Sequence, residues 1–189
     1  MAKIKIAVAG CLGRMGQELS KQIMNNNKLE FVGGFEHKKH KDINKQFKNV
    51  SDINSIKIIE NNPTNSIKAA NVMIDFTTPQ STLENVKIAS QNKTAVIIGT
   101  TGMTESQKKK VKSYEKKIPI LMSSNMSIGV NLLFNLVRQT AHVLKDTDYD
   151  IEIAETHHKH KKVHHLEQPC HWESMQQKVE KFHSINQKS

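Results

Sequence analysis

Hydrophobic positions in this chain gather into short runs divided by polar and glycine-bearing stretches. Ile4 to Ala9 is apolar and is entered by alternation with Lys3 and Lys5. It breaks into "GCLGRMG", Gly10 to Gly16. Met15, Leu19, Ile23 and Met24 then recur on one side of a helix, which returns to the same face about every 3.6 residues. Strand, glycine loop and helix are thus predicted in that order. A second apolar run, "LEFVGGFE", ends in Glu36. "MNNNK" and "ENNPTNS" read as turn-rich stretches inside a domain.

The alternation continues. "NVMIDFTTP" predicts a buried strand entering a loop, and "STLENVKIASQN" a helix. "TAVIIGTTG" is a strand and loop, and "TESQKKKVKSYEKK" a polar helix. "IPILMSSNMS" is a further strand, "IGVNLLFNLVRQTAHVL" a long apolar helix and "YDIEIAETHH" a last strand. Repeated strand–helix units predict an α/β fold, a Rossmann-like doubly wound parallel sheet covered on both faces. Ligands of such sheets bind outside the carboxyl ends of the strands. Each unusual loop falls there: 10–16, Glu36, Phe76 to Thr78, Gly99 to Gly102 and Ser123 to Ser127.

That context raises the glycine motif above a chance spacing. Gly10 permits a tight turn, Gly13 lets backbone approach a pyrophosphate, and Gly16 lets the helix pack on the strand. The helix start offers N–H groups and a positive dipole end to phosphate. Glu36 follows Gly16 by roughly the 20 residues that place an acid at the ribose hydroxyls of an adenosine. The bland alternative is a cluster of turn glycines and a surface glutamate. His37, Lys38 and Lys39 come next and can pair with a 2′-phosphate, so both NADH and NADPH stay open.

Composition narrows the classes. A chain of 189 residues suits one domain, or one plus part of a second. No stretch approaches the roughly 20 apolar residues of a membrane span, and "MAKIKIAVAG" reads as a strand, not a leader. Cys11 and Cys170 make no disulfide framework, so a reducing cytoplasm is expected. The net charge of +10 is spread over lysine-rich helix faces without interleaved aromatics, which argues against a nucleic-acid partner.

Five motifs, in order, carry a resemblance: "VAGCLGRMG", "VMIDFTTP", "VIIGTTG", "SSNMSIGVN" and "IEIAETHHKHK". Over about residues 3–162 the chain resembles the dihydrodipicolinate reductase (4-hydroxy-tetrahydrodipicolinate reductase) family of lysine and diaminopimelate synthesis. The resemblance implies cofactor contacts at Gly10, Cys11, Leu12, Gly13, Arg14, Met15, Glu36, Gly99, Thr100, Thr101, Ser123, Ser124, Asn125 and Met126. It implies His157 as proton donor or acceptor, His158 as a substrate contact and Lys161 as a proton donor. The implied reaction is hydride transfer from NAD(P)H to a cyclic dicarboxylate bearing a conjugated imine. Such addition builds electron density that must be protonated, which suits a histidine and a lysine beside the ring. A dicarboxylate also needs clustered cations. The family assembles as a homotetramer through its second domain.

In the family the double-histidine motif continues H-H-x-x-K-x-D-A-P-S-G-T-A. Here "HHKHKK" is followed by "VHHLEQPCHWESMQQK". Possible codons for that tail, read one base out of register, spell A-P-S-G-T-A-L-S-L-G. Residues 163–189 are therefore expected to be an out-of-frame, disordered tail. Residues 1–125 are expected to form the dinucleotide-binding domain and 126–162 the start of a truncated substrate domain, without its assembly elements. The chain would then be an inactive reductase or, alternatively, a non-catalytic dinucleotide-binding remnant of a broken gene. A metal site built from His157, His160, His164, His165, Cys170 and His171 is disfavoured, because neither a C-x-x-C pair nor a helical H-x-x-x-H is present.

Overall fold

The computed structural model describes residues 2–49, 55, 57–123 and 125–144. The chain divides into two units, Met1–Ser124 and Asn125–Ser189. In the first, β1 (Ile4–Ala9), α1 (Arg14–Asn25), β2 (Leu29–Phe35), β3 (Ile59–Glu60), α2 (Pro63–Ala69) and β4 (Val72–Asp75) are followed by α3 (Pro79–Asn92), β5 (Ala95–Ile98), α4 (Glu105–Lys112) and β6 (Ile120–Met122). Within the second, α5 covers Ile128–Leu144.

The sheet runs β3-β2-β1-β4-β5-β6, and all its pairings are parallel. The chain builds outward from β1 through β2 and β3, then returns across to β4 on the other side. That reversal leaves a crevice above the carboxyl ends of β1 and β4. The expected doubly wound Rossmann-like sheet is what forms.

Strand alternation divides the core between the two faces. Ile6 and Val8 pack with Cys11, Ile23, Phe31, Phe47 and Ile59. Ala9 faces the other way, with Phe35, Ile67, Met73, Val86, Val96, Ile98 and Val111. Each aliphatic side chain so buried contributes roughly 1.5–3 kcal/mol. Phe31 and Phe47 meet edge to face, with ring centroids 5.2 Å apart.

Two expectations need correction. The stripe that α1 buries is Gly16, Ser20 and Ile23, whereas Met15 is exposed. Periodicity marked the larger apolar residues, but contact with the Gly10 turn demands the smallest side chains on the inner face. Likewise "ENNPTNS" is not only turn: Glu60 ends β3, and α2 begins at Pro63. Asn62 caps that helix by accepting the Thr64 N–H at 3.0 Å, and proline suits the first helical position because its missing N–H has no intrahelical acceptor there. The long apolar helix matches α5 at both ends. Its start is closed locally: the Asn125 side chain accepts the Ser127 N–H at 2.8 Å, and Ser127 Oγ accepts from the Val130 N–H at 3.4 Å. The strand expected in "YDIEIAETHH" lies outside the described residues.

Candidate functional site: the loops at the carboxyl edge of the sheet

The chain leaves β1 through Gly10, whose φ of +66° is in the region that disfavours a side chain. Its N–H donates to Phe35 O at 2.9 Å, and the Cys11 N–H reaches the same oxygen at 3.3 Å. The turn closes with the Gly13 N–H on Gly10 O at 3.0 Å. Helix α1 starts at once, its first ladder bond running from Gln17 N–H to Gly13 O at 2.9 Å. The N–H groups of Arg14, Met15 and Gly16, ahead of that first ladder bond, therefore emerge from the helix end, as an anion requires.

The glycines have separate tasks. A Cβ on Gly16 would lie 2.1 Å from Gly10 O and 2.7 Å from Cys11 Cα, so only glycine lets α1 sit against the turn. Gly13 has an ordinary φ of −68° and is exposed, with only Gly10 O near a built Cβ, at 3.2 Å. Gly10, and not Gly13, carries the conformational demand. What a side chain at Gly13 would fill is the open space at the helix end.

Glu36 stands next to this turn. One carboxylate oxygen accepts the Leu12 N–H at 3.2 Å and the other accepts the His37 N–H at 2.9 Å. The half-buried acid is held at the tip of β2, alongside the glycine loop. His37, Lys38 and Lys39 beyond it are exposed. The Cys11 side chain points into the core and is fully buried. Burial, followed by the nearby Glu36 charge, raises its thiol far above the usual range, so it stays neutral and fills space. Arg14 and Met15 are exposed on the first turn of α1.

Across the crevice, the loops after β4 and β5 interlock. Asp75, the last residue of β4, is fully buried. Its Oδ1 accepts the Thr77 N–H at 3.0 Å and the Thr77 hydroxyl at 2.6 Å, while Oδ2 accepts from Asn85 Nδ2 at 2.9 Å. Thr100 takes the Thr77 N–H at 3.2 Å and lies 2.8 Å from the Thr82 hydroxyl. The Phe76 ring occupies the place of a Cβ on Gly99, so a side chain there would have to displace that ring. Thr101 is exposed, and the Ser123 N–H donates to Ile98 O at 3.1 Å. The two halves of the crevice also meet: a Cβ on Gly10 would fall 2.8 Å from Thr77 Cγ2.

Of the expected site residues, Gly10 to Met15, Glu36, Gly99 to Thr101 and Ser123 thus line the carboxyl edge of one sheet. Asn125 and Met126 belong to the second unit. Ser124, His157, His158 and Lys161 lie outside the described residues, as do the residues weighed as metal ligands from His157 onward and the 163–189 segment. Among the described residues no three His, Cys, Asp or Glu side chains converge as a metal site, and no helix is long and apolar enough to cross a membrane.

A family profile described as the N-terminus of dihydrodipicolinate reductase matches residues 4–126, and its C-terminal counterpart matches residues 129–164. The chain belongs to the dihydrodipicolinate reductase family. It is 41% identical over 162 residues to the 4-hydroxy-tetrahydrodipicolinate reductase of Pelagibacter ubique, covering 86% of this chain and 58% of that protein. Against the same enzyme of Buchnera aphidicola the identity is 39% over 160 residues, covering 84% and 59%. A solved structure of dipicolinate-bound dihydrodipicolinate reductase from Paenisporosarcina superposes with a TM-score of 0.61 at 27% identity, covering 74% of this chain and 54% of the other. The chain therefore spans under three-fifths of the length of these curated relatives, at 58% and 59%.

The interlocked loops hold residues that the sequence pattern does not single out: it marks Phe76 to Thr78 only as a loop and leaves out Asp75, Thr82 and Asn85. One signal was present: an aspartate closing an otherwise apolar buried strand must find donors, and two threonines, Thr77 and Thr78, follow just beyond Phe76.

Proposed function

We propose that this chain binds NADH or NADPH across the β1/β4 crevice and carries the cofactor half of a 4-hydroxy-tetrahydrodipicolinate reductase. The supporting observation is the tethering of Glu36 to the Leu12 N–H beside an exposed helix end that glycine keeps free of side chains. That cradle suits a pyrophosphate at the N-terminus of α1 and a ribose at Glu36. When bound, a reduced nicotinamide supplies a hydride. The chain's own residues bind the phosphates through backbone N–H groups, orient the adenosine ribose through Glu36 and receive the second half of the cofactor at the Gly99–Thr101 loop. By family resemblance, His157 and Lys161 protonate the product and His158 meets a substrate carboxylate. The substrate is a small cyclic dicarboxylate, the setting is lysine and diaminopimelate synthesis in the cytoplasm, and the family's assembly is a homotetramer.

A second reading is favoured by the departure from the family motif after Lys162: the chain binds the dinucleotide but does not turn over. The Ser-Gly-Thr segment that would hold the His157 loop is replaced, and a misplacement of about 1 Å can cost about a hundredfold in rate. Titration of reduced-nicotinamide fluorescence, followed by a reductase assay, separates the readings. Saturable NADH binding with background turnover supports the remnant. Substantial turnover supports the reductase, and absence of binding to either dinucleotide sinks both.

A further inference from the structure

The carboxylate of Asp75 is the least expected group in the sheet. It is wholly buried at the end of β4, between Ala9 of β1 and Ile98 of β5 in register. Every described partner of its side chain is a donor: the Thr77 N–H and hydroxyl, the Asn85 amide and, at 3.4 Å, the Thr100 hydroxyl. Those donors sit on three separate pieces of chain, namely the loop after β4, helix α3 and the loop after β5. Main chain reinforces the link, with the Gly99 N–H on Asp75 O at 2.9 Å. A polar group this deep is sustained only by such directed bonds, and an acceptor among donors is poorly replaced by a group that donates.

We infer that Asp75 is a positioning residue that locks the Phe76–Thr78 loop onto Thr100 and so shapes the second half of the dinucleotide site. The inference rests on the proposed cofactor binding. In a sheet of this order, the adenosine lies over β1 and β2 and the other nucleotide over the β4–β5 side. The Asp75 side chain bonds only to groups on the second side, whereas the glycine turn and Glu36 hold the first. Its loss therefore weakens the two halves unequally.

The test uses the full 189-residue chain. Asp75→Asn turns an acceptor into an amide facing donors, so NADH affinity falls by about tenfold or more. ADP, bound by the glycine turn, stays within about twofold of wild type. The double variant Asp75→Asn/Asn85→Asp restores a donor–acceptor pair with its sense reversed, and brings NADH affinity back to within about threefold. Equal weakening of NADH and ADP, no weakening, or no recovery in the double variant would overturn the inference. Should Asp75→Asn fail to fold, Thr77→Val removes one arm of the network while keeping the backbone bond, and the same NADH-selective loss is required. Wild-type chain that binds neither NADH nor ADP defeats the cofactor reading instead. The lock is then judged by amide exchange: the Thr77 N–H must exchange about tenfold faster in Asp75→Asn, or in Thr100→Val, which removes its second acceptor, and unchanged exchange rejects it.

Discussion

Gly13 and Gly16 are three residues apart, yet replacing each by alanine should act on different properties. At Gly16 the new Cβ would lie 2.1 Å from Gly10 O and 2.7 Å from Cys11 Cα. Both are backbone atoms, in a turn whose Gly10 is already committed to a φ of +66°. Relief requires α1 to move off the sheet, which loosens Ile23 from the cluster around Ile6 and Val8. Overpacking of that kind costs about 3 kcal/mol, or about 10 °C in Tm for a unit of this size. At Gly13 the φ of −68° is open to alanine and the nearest atom is 3.2 Å from the Cβ. An alanine N-cap costs only about 0.5 kcal/mol relative to glycine. Its methyl group, however, enters the space assigned to the pyrophosphate, so NADH affinity should fall at least about tenfold. Thermal melts and fluorescence titrations on the two variants read these effects independently. A Gly16→Ala chain with wild-type Tm would refute the packing argument. A Gly13→Ala chain that binds NADH as wild type does would refute the phosphate site.

Removing the carboxylate in Glu36→Gln should weaken NADH by about tenfold while leaving NADPH less affected, because the group lost is the one that pairs with a free 2′-hydroxyl; wild type should hold the two cofactors within about tenfold, Lys39→Ala should barely change NADH affinity, and thousandfold discrimination by wild type in titrations would contradict this reading of the β2 tip. The Cys11 thiol, raised by burial above its ordinary 9.0, stays protonated when folded and ionises on unfolding. Its stabilisation is thus fully present below the ordinary thiol pKa and is lost above it, by about 1.4 kcal/mol per pH unit. Urea melts should show the advantage of wild type over Cys11→Ala shrinking from pH 9 to pH 10 (both on the order of the thiol range), and a constant difference would place the thiol in water. The codons after Lys162, once sequenced, should spell the Ser-Gly-Thr motif one base out of register; any other reading removes the frameshift explanation for residues 163–189.

Much of the first unit was legible because its signals are local. Short apolar runs with helices between them dictate a parallel sheet, since strands covered on both faces have no polar side to show. The glycine spacing and the acid at the end of β2 are likewise set within a single strand–helix–strand unit, and Gly10, Gly16 and Glu36 occupy the positions their spacing implied. Other features rest on contacts between residues far apart in the chain. Gly99 answers to the Phe76 ring, Gly34 to Cys11 and Phe47, and Asp75 to donors on two other segments. Helix α1 buries Gly16 and Ser20 in place of Met15 because the Gly10 carbonyl leaves no room for more. The sequence by itself determined the order of elements and the glycine turn after β1, both governed by backbone sterics over a few residues. Tertiary structure alone decided which loops lock together at the crevice, because a buried carboxylate and a glycine against a ring take their meaning from neighbours that only the closed sheet brings within hydrogen-bond or van der Waals distance.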